Sequence, residues 1–146
     1  MDNKQKALEL FSKQFNCAQS VFGALAEDVG IDRETALKTA ACFGGGMRCG
    51  EACGAVTGAL MALGVRFGSA LENDAEGKAA AGKRTIAFLT AFKARHNTAL
   101  CRELLGYNPG IPEEAAQIRE QGLFDKVCTG LITDAVEIAE EIIKQG

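Results

Sequence analysis

The sequence predicts an all-α fold, a single-domain bundle of about six helices around a buried Gly/Ala-rich central helix. Three observations carry this expectation. Apolar residues recur at helical spacing through most of the chain, no run alternates as a half-buried strand would, and only two prolines interrupt 146 residues. A chain of this length can bury most of its apolar surface in one core, so residues 1–146 read as one domain.

The first helix is expected from Asn3 to Phe15, with Ala7, Leu10, Phe11 and Phe15 on one stripe. Asn16 reads as a break or N-cap, and a second helix starts with Cys17 in its first turn. Gly30 ends that helix, and Asp32 caps a third that runs through Ala36, Leu37, Ala40 and Ala41 to Cys42. A fourth is expected from about Glu51 to Val65, with its N-terminus near Gly50 and with Cys49 and Cys53 at or inside its first turn. It carries no charge between Glu51 and Arg66, the pattern of a helix buried on all sides. Gly54 and Gly58 form a narrow ridge along it, suited to a closely approaching helix or to a bulky inorganic group beside Cys53.

A long amphipathic helix follows from Leu71 to His96, its basic residues reading as a solvated face. His96 sits at its end, placed to meet terminal carbonyls and kept as a secondary ligand or proton donor. A short turn from Ala99 to Leu105 carries Cys101. Gly106 to Pro112 is loop by turn chemistry, and Pro112 suits a first helical position, with Glu113 and Glu114 in the first turn. The last helix runs from Phe124 to the end, with Val127, Leu131, Ile132, Ala135, Ile138, Ala139 and Ile142 as its core stripe and Cys128 early in it.

Composition narrows the function. The net charge is −3 and no basic stripe with interleaved aromatics occurs, so no nucleic-acid partner is expected. The N-terminus has no apolar signal segment and no run approaches a bilayer span, so a cytoplasmic protein without a membrane partner is expected. The Gly-Lys in Ala-Ala-Ala-Gly-Lys-Arg-Thr lacks the spaced glycine of a phosphate loop.

Six cysteines are unusual for such a protein, because cytosolic thiols stay reduced and structural disulfides are rare there. Three of the six, with six of the seventeen glycines, fall between Cys42 and Gly58. The spacings exclude Cys-x-x-Cys and with it the thioredoxin motif and the usual zinc knuckle. Cysteines at helix N-termini are expected to have lowered pKa values and to act as nucleophiles or ligands. Cys49 and Cys53, one turn apart if helical, suit co-ligation better than a strained intrahelical disulfide. Cys17, Cys53, Cys101 and Cys128 each fall near an expected helix start, and converging thiolates need a cation, as in iron–sulfur and zinc sites.

Asn16-Cys17-Ala18-Gln19, Phe43-Gly-Gly-Gly46, Gly50-Glu-Ala-Cys53-Gly-Ala-Val-Thr-Gly58, Cys101 and Cys128 together resemble the C_GCAxxG_C_C family, which is known by its cysteine pattern and an inferred redox role. The resemblance covers nearly the whole chain and implies a small helical redox protein with Cys17, Cys53, Cys101 and Cys128 as signature cysteines. Cys42 and Cys49 lie outside that pattern.

The leading expectation is therefore an iron–sulfur cluster held by Cys17, Cys53, Cys101 and Cys128, with Cys49 as a substitute ligand, serving electron transfer to an unidentified partner protein. A second reading makes Cys53 the reactive thiolate of a thiol–disulfide enzyme or sensor. A third is a structural or interaction module with zinc or free thiols. A homodimer suits all three, since a charge-poor helix exceeds what a small bundle covers alone.

Overall fold

The computed structural model describes all residues from Met1 to Gly146 and contains helices and no β-strand, in agreement with the expected class. Eight α-helices follow one another: α1 (Asn3–Ser12), α2 (Cys17–Val29), α3 (Arg33–Thr39), α4 (Gly54–Phe67), α5 (Ala75–His96), α6 (Cys101–Leu105), α7 (Pro112–Gln121) and α8 (Thr129–Gln145). The count exceeds the expected six because α6 and α7 are short, separate helices. No helix is long and apolar enough to cross a membrane.

Side-chain caps fix the early helices. Asp2 and Asn16 each form a reciprocal capping box, with Gln5 and Gln19 respectively, and Gly30 closes α2 in the left-handed region at φ 83°. Asp32 caps α3, which ends at Thr39, three residues short of the expected Cys42. Asp74 caps α5 by accepting from the Gly77 amide at 2.9 Å, so α5 begins at Ala75 rather than Leu71.

The main core gathers α1, α2, α4, α5 and α8. Phe22, Leu25, Phe88, Phe92 and Ile132 are each no more than 1% exposed, and burying such a side chain contributes roughly 1.5–3 kcal/mol. Helix α4 packs on α2, α5 and α8, but it is not buried all round: Val65 and Arg66 reach solvent, and Leu60 and Met61 are half-buried. A second, much smaller cluster joins Cys101, Leu105, Ile118 and Cys128 from α6, α7 and the turn before α8. The cysteine site lies on the seam between these two clusters.

Candidate cysteine site

The segment between α3 and α4 departs most from the expected structure. Gly45, Gly46, Met47 and Arg48 all have positive φ, four successive left-handed residues, and Glu51 N donates to Gly46 O at 3.0 Å to close a wide turn. A left-handed conformation costs roughly 1–2 kcal/mol at each non-glycine residue, so Met47 and Arg48 are strained. Gly46 is obligatory here, because a Cβ would stand 2.5 Å from Glu51 N and 2.9 Å from Cys101 Cβ. The turn delays α4 to Gly54, so Cys53 becomes its N-cap residue. Cys49, expected in the first helical turn, stands outside the helix with its thiol donating to Gly46 O at 3.3 Å.

An isolated antiparallel bridge pairs Ala52 with Leu100. Cys53 N donates to Ala99 O and Cys101 N to Glu51 O, each at 2.7 Å, which seats Cys53 beside Cys101 across 48 residues of chain. Outside the bridge, Arg102 pairs with Glu51 at 3.1 Å and donates to Gly50 O at 3.2 Å.

Cys17, the first residue of α2, comes in from the other side. A Cβ on Gly54 would lie 2.9 Å from the Cys17 sulfur, so that glycine admits the thiol to the start of α4. The amide groups of Gly45, Cys17, Ala18 and Gly54 face the sulfur, and each favours its ionised form. Those of Ala55 and Val56 do the same at Cys53. Cys128 completes the set from the continuous helical turn that leads into α8, not from a free helix N-terminus. Its thiol is close enough to Cys17, Cys53 and Cys101 to feel the charge of each.

Cys53, Cys101 and Cys128 are 4%, 7% and 5% exposed, and Cys17 is half-buried. Burial works against the ionised form and raises all four thiols, reversing the lowering expected from helix ends. Cys53 and Cys101 are pushed up to about 12. Repulsion from Cys17 adds to burial at Cys53, Cys101 and Cys128, the electrostatic mark of thiols brought together. Cys49 and Cys42 are both exposed, and Cys49 is near enough to add to the repulsion at Cys101. His96 takes no part: its Nε2 lies 2.8 Å from Asp134 Oδ2 on α8 and its ring rests on Phe92, so neither the ligand nor the carbonyl-capping reading holds.

The site also uses backbone groups, the amides of Gly45, Cys17, Ala18 and Gly54. The helix starts and the triple glycine signal them in the sequence, since helix N-termini and a glycine loop both present free N–H groups.

The sequence profile of the family described as Putative redox-active protein (C_GCAxxG_C_C) matches residues 15–142. The chain belongs to that family. No curated protein and no solved structure matches it.

The C_GCAxxG_C_C signature can now be read physically. In Asn16-Cys17-Ala18-Gln19, Asn16 accepts from the Gln19 amide at 2.8 Å and donates to Ala41 O at 3.0 Å, capping α2 while holding the glycine loop. Gln19 closes the capping box and reaches Leu37 O at 3.0 Å. Ala18 faces Gly58, where a Cβ would stand 2.5 Å from Ala18 O. The close-packing reading of the glycine ridge holds at both glycines, since each lies against the start of α2. Gly58 admits a helix backbone and Gly54 admits a sulfur.

The donor set is four cysteine thiols, the type that zinc and iron–sulfur groups take. Four thiols gather at one seam, amides that favour thiolates face two of them, and a cleft lined by Gly44 and Gly45 reaches Cys17. No three His, Cys, Asp or Glu side chains surround a single ion position.

Proposed function

We propose that this protein is an electron carrier whose redox centre is an iron–sulfur cluster held by Cys17, Cys53, Cys101 and Cys128. The observation that carries this reading is the gathering of four cysteines at the seam: backbone bonds seat Cys53 beside Cys101, Cys101 and Cys128 share the small buried cluster, and the Cys17 sulfur lies against Gly54. Uncompensated, four thiolates there would repel one another; a cationic cluster neutralises them and inverts the local pKa logic.

The cluster supplies reversible one-electron chemistry when bound. The chain's own residues set its surroundings. The amides facing Cys17 and Cys53 stabilise negative sulfur and thereby favour the reduced centre. Burial of Cys53, Cys101 and Cys128 keeps water from three of the four sulfurs, while half-buried Cys17 marks the side from which electrons enter. Exchange with a partner protein would occur there. The thiol–disulfide reading is less well supported, since a Cys53 thiol pushed up to about 12 is almost wholly protonated at neutral pH.

Protein prepared and reconstituted without oxygen should contain iron and acid-labile sulfide in equal amounts and absorb in the visible. Substituting Cys53→Ser should abolish loading, and Cys42→Ser should leave it unchanged. A colourless, iron-free product after reconstitution would refute the cluster; zinc at one per chain would favour the structural reading instead.

A further inference from the structure

A cleft of about 720 Å³ opens beside Cys17, and beyond Asn16, Cys17 and Gly45 its lining residues have no part in the cysteine chemistry. Three phenylalanines border it: Phe11, Phe15 and Phe124. Phe124 is 38% exposed, and neither it nor Phe15 packs against either core cluster. Two cations stand on the same cleft, Arg48 and Arg119, both exposed and neither engaged in an ion pair or hydrogen bond. Asp125 is the one carboxylate lining it, so the cleft carries a positive balance in a chain of net charge −3. Two further clefts, one around Glu9 and Glu27 and one around Asp74 and Lys78, contain no cysteine.

The backbone marks the same place. Arg48 and Gln14, at φ 60° and 72°, are two of the five non-glycine residues with positive φ, and both line this cleft. Such strain persists where the surrounding structure holds a residue for a purpose, and here it presents the Arg48 side chain. Unpaired guanidinium groups are suited to bidentate recognition of a carboxylate, and exposed phenylalanines give a flat ring somewhere to stack.

We infer that this cleft binds a small aromatic carboxylate, its ring against Phe15 and Phe124 and its carboxylate between Arg48 and Arg119. The molecule would then lie against the half-buried Cys17, the one signature cysteine that lines the cleft. Its role as an electron donor or acceptor rests on the cluster reading; its binding does not.

The test is a titration of 2-naphthoate into isotopically labelled metal-free protein, followed by amide chemical shifts. Saturable shifts at Gly44, Gly45 and Arg48 are expected. The neutral analogue 2-naphthamide should bind about tenfold more weakly, the loss expected for one charge-assisted contact. Arg48→Gln and Arg119→Gln should each weaken naphthoate to a similar degree, Phe124→Ala should weaken both ligands, and Lys83→Gln on α5 should change neither. Helical circular dichroism on each variant confirms that it is folded. Naphthamide binding as tightly as naphthoate, a loss with Lys83→Gln equal to that with Arg48→Gln, or no saturable shift would each overturn the assignment. Because the protein is metal-free, failure here leaves the iron analysis intact, and failure to load iron leaves the cleft intact.

Discussion

At the scale of a residue, Cys53 shows how two effects compete over one sulfur. The amides of Ala55 and Val56 favour the thiolate, yet burial dominates and pushes the thiol up to about 12 from an ordinary value near 9. In metal-free protein the folded state therefore holds a proton that the unfolded chain releases above about pH 9. Stability follows the difference in bound protons, so this contribution is complete below the unfolded value and falls as pH rises through 9 toward 12, by about 1.4 kcal/mol per pH unit for each such thiol. Urea midpoints should drop between pH 8 and pH 10.5, and Cys53→Ala should make the drop shallower by about one proton's worth. A wild-type midpoint that is flat or rises would show that these thiols are not held protonated.

At the scale of an element, α4 carries three glycines with different nearest neighbours. A Cβ on Gly58 would sit 2.5 Å from Ala18 O, one on Gly54 would sit 2.9 Å from the Cys17 sulfur, and one on Gly64 would meet nothing within 4 Å. Gly58→Ala forces two helix backbones apart and should cost about 1–3 kcal/mol. Gly54→Ala should cost less than Gly58→Ala, because its nearest neighbour is a side-chain sulfur and the Ala18 backbone stands farther off at 3.0 Å, but it should impair iron loading. Gly64→Ala should stabilise by about 0.5–1 kcal/mol through helix propensity alone. Thermal unfolding of the three variants would expose a wrong ordering at once. The ridge itself was legible in the four-residue spacing of the glycines; which glycine met what was not, since that depends on α2 arriving from elsewhere in the chain. The start of α4 was misread for a related reason. Nothing local marks Met47 and Arg48 as left-handed, and the turn is imposed by the approach of Glu51 and Cys101 to Gly46.

At the scale of the molecule, the helical class, the caps at Asn16 and Asp32 and the α8 core stripe could be read from the sequence because each is a local pattern. Of that stripe only Val127 falls short of full burial. The four signature cysteines were also legible, as a pattern held in common with a family. Their surroundings were not, because the seam arises only when two clusters of unequal size meet. The main core buries 25 residues, and the second cluster buries only Cys101, Leu105, Ile118 and Cys128. Four buried residues give α6 and α7 little hydrophobic hold on the rest, and two of the four are the proposed ligands. A cluster bound by Cys17 and Cys53 on one side and Cys101 and Cys128 on the other would therefore cross-link the weak part to the strong one. Binding to the native state alone stabilises it by mass action, and regions of low local stability register this first in amide exchange. Chelating the metal should accelerate exchange by at least about tenfold between residues 101 and 128, while Val21 to Leu25 and Ile132 to Ala139 keep their protection. Equal acceleration across all helices would mean that the metal stabilises the whole fold uniformly. No change between 101 and 128 would mean that the small cluster holds itself, and that the four cysteines do not join the two halves of the protein.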